Sequence, residues 1–184
     1  FASGSQIDVP LLIGYTRDES FRPLPPVASR AELEAAISAR YVGANRALMT
    51  AYGTDGGDPG RIALDIARDA TAGRQMADWA AHHNSHGKAP VFGYLFARRQ
   101  PYAPGISFSD HDPETAGAYH TGDVPYWLKT RDSLNIFRQT RNWEPDDAAL
   151  EAEMSAALLS FARTGTPASP AIGHWPIFDP AAPK

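Results

Sequence analysis

The sequence contains no cysteine. A disulfide framework, a thiolate zinc site and a cysteine nucleophile are therefore excluded. It also lacks any apolar stretch approaching the roughly 18 residues that a membrane-spanning helix needs, which predicts a soluble chain. There is no run of Lys or Arg: 17 basic residues face 21 acidic ones, a formal net charge of −4. That balance argues against nucleic acid and anionic membranes as partners. The absence of bridges leaves the compartment open, because a chain of this size can be secreted without them. An initiator Met is missing too, as is a basic segment ahead of an apolar one. The chain opens FASGSQIDVPLLIG and stops in DPAAPK. Both ends are expected to be places where a longer polypeptide was cut or trimmed.

What is present suits one globular domain over 1–184. With 184 residues, 43% of them hydrophobic, the chain can bury a core despite 15 Gly and 16 Pro. Residues 9–15 (VPLLIGY) form a nearly continuous apolar run, which predicts a strand buried on both faces of a parallel sheet. Thr16-Arg17-Asp18-Glu19 follow it directly, where α/β sheets carry their chemistry. Apolar positions Leu33, Ile37, Tyr41, Ala44, Leu48 and Tyr52 predict one amphipathic helix over 31–52, stopped by Gly53. The stretch 54–60 (TDGGDPG) is a loop. A second helix is predicted over 61–83, with Gly73 as a point where it can break. Residues 90–96 (PVFGYLF) predict a second strand. Residues 98–132 are irregular, and 146–163 predict a last helix capped by Gly165. Strand, helices, strand, long loop and helix make an α/β class.

Asp18 and Glu19 at the end of the first strand, with His120 in the loop after the second, are candidates for the carboxylate and imidazole of a Ser-His-acid machine. The carboxylate would fix the imidazole tautomer and stabilise the imidazolium formed on proton uptake. Taken alone, the same residues read more readily as satisfied surface groups.

The local sequences narrow this choice. The segment VPLLIGYTRDE resembles the strand-and-acid segment of type-B carboxylesterases, the family of the para-nitrobenzyl esterases and the cholinesterases. GAYHTGDVPY, residues 117–126, is similar to that family's histidine segment. The helix to Trp79 followed by PVFGYLF resembles the helix and strand before the histidine loop. LLSFARTGTP, residues 158–167, is similar to the late helix and its cap, and WPIFDP, residues 175–180, to a Trp-Pro-x-(Tyr/Phe)-Asp-Pro signature. The resemblance implies the carboxyl-terminal portion of an α/β-hydrolase fold, incomplete without an upstream segment. It implies Glu19 as triad acid, His120 as general base, a small-molecule ester as substrate and no cofactor. Two positions depart from the pattern: Ser20 stands where Gly is common, and Asp123 where Glu is usual.

The nucleophile is absent. No serine has the Gly-x-Ser-x-Gly surroundings of the nucleophile elbow; Ser107 has Gly105 before it but Ser109 after it. No glycine-rich oxyanion segment is present either. The resemblance therefore implies an upstream segment, or a companion chain, carrying the Ser; the 184 residues alone are not expected to turn over an ester. The rival class is a non-catalytic cholinesterase-like binding module.

Three further features have structural explanations. His82 and His86 share ligand spacing on a helix, but Gly87 ends that helix and no Glu follows the first His, which favours a frayed terminus over a metal site. Residues 109–114 (SDHDPE) are an acidic loop without the Gly and terminal Glu of a dedicated calcium loop. Phe21, Tyr119, Tyr126 and Trp127 flank the candidate catalytic residues, as pocket lining or as core.

Overall fold

The computed structural model describes residues 3–52 and 56–179, in two compact units: 1–17 with 76–184, and 18–75. In the first unit, β1 (Leu11–Thr16) and β2 (Val91–Phe96) pair in parallel, Leu11 opposite Val91 and Thr16 opposite Phe96. Each strand starts just after a proline, Pro10 or Pro90, which has no N–H for the ladder. Gly14 is required sterically: a Cβ there would collide with the ring and carbonyl of Tyr94.

Both faces of this sheet are packed, as the apolar run of β1 predicts. Ile13 and Val91 cluster with Ala80 and Met76 of α4 (Arg74–His86) on one face. On the other, Phe96 and Tyr94 meet Tyr126 and Trp127 of α5 (Val124–Trp127) and Met154 of α6 (Pro145–Thr164). Phe92 meets Phe161 of α6 edge-on at 6.3 Å. At the outer edge of β2, Phe178 N donates to Val91 O (2.7 Å) and Trp175 Nε1 donates to Gly93 O (3.0 Å).

The last helix is specified at both ends. Glu144 and Asp147 form a reciprocal capping box, and Gly165 ends it in the left-handed region at φ 74. Asp147 is completely buried and accepts from Arg98 Nε (2.8 Å) and Nη2 (3.0 Å), Tyr126 Oη (2.8 Å) and Glu144 N (3.0 Å). One carboxylate thus ties the strand exit, α5 and α6 together. Burial opposes its ionisation, but these donors outweigh that and hold it below the ordinary value of 3.8. Within the stretch 98–132, the structure adds α5; four residues are too few to leave a periodic signature.

In the second unit, the helix expected over 31–52 is two helices, α1 (Arg30–Arg40) and α2 (Asn45–Ala51). The break lies at 41–44, where Gly43 takes φ 81, a conformation that cannot continue a right-handed helix. Gly53, the expected stop, lies outside the described residues, as do Thr54 and Asp55 of the loop and Pro180 of the WPIFDP signature. Ser29 caps α1 by accepting from Glu32 N, and Asp58 caps α3 (Pro59–Arg68) by accepting from Arg61 N. The expected interruption near Gly73 is a π-helical stretch, Asp69–Gly73, ahead of α4. Leu33, Ile37, Met49, Ile62 and Ile66 form this unit's core beside Leu24. No described helix is long and apolar enough to cross a membrane.

Replacing Asp147 by Ala leaves a buried tyrosine hydroxyl without its acceptor and Arg98 with Glu144 alone, at an expected cost of roughly 3 kcal/mol in chemical denaturation. Because the folded-state carboxyl sits below its unfolded value, its stabilisation is present above 3.8 and disappears as the pH falls through the lowered folded value. The gap between wild type and the variant therefore narrows on acidification.

Candidate active site

His120 is exposed on a loop whose backbone is held in an uncommon shape. Gly117 has φ 59, and Thr121, the residue after the histidine, has φ 69 although it is β-branched. Left-handed backbone at such a residue costs on the order of 1–3 kcal/mol and persists only where its surroundings impose it. The loop then closes tightly: Gly122 N donates to Tyr119 O at 2.9 Å, and a Cβ on Gly122 would also sit 2.9 Å from that oxygen.

Two buried side chains brace this loop. Asp123, 7% exposed, accepts from Tyr94 Oη (2.9 Å) and Trp127 Nε1 (3.1 Å), fastening the start of α5 to β2. Both donors converge on one oxygen, Oδ2, of this shorter acid. Gln100, 1% exposed, donates from Nε2 to Gly122 O at 2.9 Å. Its Oε1 accepts from Tyr119 Oη (3.1 Å) and Arg141 Nε (2.7 Å). The Arg141 guanidinium lies 3.9 Å from the ring centre of Tyr102. Tyr119 stacks on His111, which stacks in turn on Phe108. Neither Gln100 nor Arg141 is singled out by sequence reasoning, since isolated polar residues in an irregular stretch carry no spacing signal.

The carboxylates follow β1. Arg17 N donates to Phe96 O at 2.8 Å, so the parallel ladder runs on to the shared carboxyl edge of the strands. Asp18 and Glu19 come next, at the start of the second unit. Asp18 is paired with the Arg61 guanidinium, which also grips Asp65; Arg68 bridges Asp65 and Asp69. The arrangement is a ladder of alternating charges, and Asp65 is held below its ordinary value by the two guanidiniums against the opposing effect of burial. Glu19 is 8% exposed. Ser20 spans the position where Gly is expected by accepting from Arg22 N at 3.3 Å, which closes a local turn.

The remaining candidates have structural roles. His83 is buried with Nε2 2.9 Å from Val9 O, and Nδ1 of His86 lies 2.9 Å from His82 O, a helix-end contact. In the acidic loop, Asp112 accepts from Glu114 N, and Asp110 contacts His111 Nδ1. Among the described residues no group of three or more His, Asp or Glu could hold a metal ion. Tyr126 is entirely buried and belongs to the core, whereas Phe21 is 55% exposed.

A parallel sheet packed by helices on both faces, with an anchored histidine loop beyond its carboxyl edge, is a partial α/β fold of the hydrolase type. The chain belongs to the carboxylesterase family, whose sequence model matches residues 1–184. Among solved structures it is similar to an esterase from Clostridium hathewayi described as able to hydrolyse aliphatic aromatic polyesters. That likeness has 25% identity and a TM-score of 0.53, over 91% of this chain and 31% of the other. A PNB esterase is 22% identical with a TM-score of 0.54, over 92% of this chain and 32% of the other. A thermophilic PNB esterase is 24% identical with a TM-score of 0.52, at the same coverages of 92% and 32%. The chain thus spans about a third of the length of these structures. No curated protein matches it.

Asp123→Ala leaves a tyrosine hydroxyl and an indole N–H without their acceptor. It is expected to lower stability by about 2 kcal/mol, as unsatisfied buried donors do, measured by urea denaturation.

Proposed function

We propose that this chain supplies the acid and the base of a serine carboxylic ester hydrolase, with Glu19 orienting His120. The nucleophilic Ser and the oxyanion donors belong to a segment outside these 184 residues, upstream in the same polypeptide or on a companion chain. Both units then form the carboxyl-terminal part of one α/β-hydrolase catalytic domain.

In this mechanism, His120 takes the proton from the serine hydroxyl as its oxygen attacks the ester carbonyl carbon. It then delivers that proton to the departing alkoxide, which leaves as the alcohol. Water deprotonated by His120 attacks the acyl-enzyme, and the proton returns to the serine as the carboxylic acid is released. Glu19 accepts a hydrogen bond from the imidazole and stabilises its charged form. Charge developing on the carbonyl oxygen is met by donors of the other segment. The substrate is a small-molecule carboxylic ester.

The observation that carries this reading is the histidine segment itself. It resembles the family's histidine segment, in a chain that the family model matches over 1–184, and an exposed His120 sits beside a left-handed Thr121 on a loop pinned by buried Gln100 and Asp123. The resemblance assigns the acid to Glu19, and Asp18, ion-paired with Arg61, is the alternative.

The test uses the polypeptide that carries the serine as well, assayed on a p-nitrophenyl ester. His120→Ala should lower kcat by about 10⁴-fold or more while the fold survives, as in triads that lose their base. Glu19→Gln should also cut turnover steeply, and Asp18→Asn should reduce stability more than rate. Full activity of His120→Ala refutes the assignment, and a greater kinetic loss in Asp18→Asn transfers the acid role to that residue. An upstream serine replaced in the parent sequence would point instead to a binding module.

A further inference from the structure

We infer that Gln100 is a positioning residue for the general base, acting as a two-ended clamp on the loop that presents His120. This inference rests on the esterase reading and extends it to a residue in a stretch without a sequence signal.

With φ 69 at β-branched Thr121, the backbone directly after His120 is away from its preferred regions, and Gly117 turns the chain at φ 59 before it. A side chain on such a segment keeps one direction only if the segment is held at fixed points. Gln100 supplies two, one on each side of the histidine in sequence. Its Oε1 accepts from Tyr119 Oη, just before His120, and its Nε2 donates to Gly122 O, just after it. The clamp is itself immobilised, because Arg141 Nε donates to the same Oε1 at 2.7 Å. Arg141 is 4% exposed and held against Tyr102, and its Nη1 donates to Thr140 O at 3.3 Å.

The chemistry of the side chain fits this task. A primary amide offers an acceptor at one end and donors at the other from one rigid plane. A glutamate would keep the Arg141 and Tyr119 bonds but would turn an oxygen toward the Gly122 carbonyl. A methionine would fill the volume and hold neither side. At 1% exposure, no solvent replaces the lost partners.

The test is steady-state kinetics on a p-nitrophenyl ester over a range of pH, with the polypeptide that carries the serine. Gln100→Met is expected to lower kcat by about 30-fold with KM within about twofold, since small misplacements of a catalytic group cost this much. Gln100→Glu should also lower kcat, and both should move the acidic limb of the kcat/KM profile, which reports the free-enzyme base. A purely structural role would lower the melting temperature and leave that limb in place. If Gln100→Met does not fold, Tyr119→Phe carries the test, because it removes one oxygen and its bond to Gln100 while keeping the ring. There, kcat about threefold lower at constant KM supports the clamp. Wild-type kcat and pH profile in these variants overturn the clamp while an inactive His120→Ala leaves the esterase reading standing. A fully active His120→Ala removes both.

Discussion

The parallel pairing of β1 with β2 is the constraint on which the rest depends. Parallel neighbours cannot be joined by a tight turn, so everything from the acid-bearing segment to the end of α4 is a crossover between two hydrogen-bonded strands. In exchange, both strands point their carboxyl ends the same way. β1 and β2 therefore end at one edge, where Arg17 N still bonds Phe96 O. Gly14 sits in the middle of that pairing because the Tyr94 ring and carbonyl occupy the place a side chain would take.

Around this sheet, buried polar groups do the locating and apolar clusters do the filling. Asp147 and Asp123 are carboxylates whose donors come from different elements, so each fixes the mutual placement of segments that hydrophobic contact alone would let slide. Gln100 differs in kind. It is neutral, and its two ends face opposite demands, an incoming hydroxyl and guanidinium at one and a backbone carbonyl at the other. The guanidiniums are matched in the same way: Arg98 to Asp147 and Glu144, Arg131 to Glu151, and Arg61 to Asp18 and Asp65. Arg141, 4% exposed, is held instead by neutral acceptors and the Tyr102 ring.

Much of this was legible in the residues. Proline-bounded apolar runs marked both strands, and α6 was announced by its periodicity and by Gly165. Gly73 marked the interruption that the structure resolves as a π-helical stretch. The family itself could be read from the short motifs around Glu19 and His120 and in the late helix. What escaped has a common cause. The break at 41–44 depends on one positive φ at Gly43 inside an otherwise helical pattern. α5 is shorter than any period, and the left-handed Thr121 runs against residue preference. The commitment of Asp18 to Arg61, and of Gln100 to Tyr119, Gly122 and Arg141, joins residues far apart in sequence. Such pairings are decided by tertiary packing, which local pattern does not encode.

One edge of the sheet is already spoken for. The carbonyls of Pro90 and Phe96 turn toward β1, whereas those of Val91 and Gly93 turn the other way and are taken by Phe178 N and Trp175 Nε1. Exposed carbonyl rows invite unwanted partners, and here the returning tail occupies them. Extension of the sheet is thereby given a direction: an additional strand would have to align along the far side of β1, and stacking of copies through β2 is discouraged by the chain's own backbone.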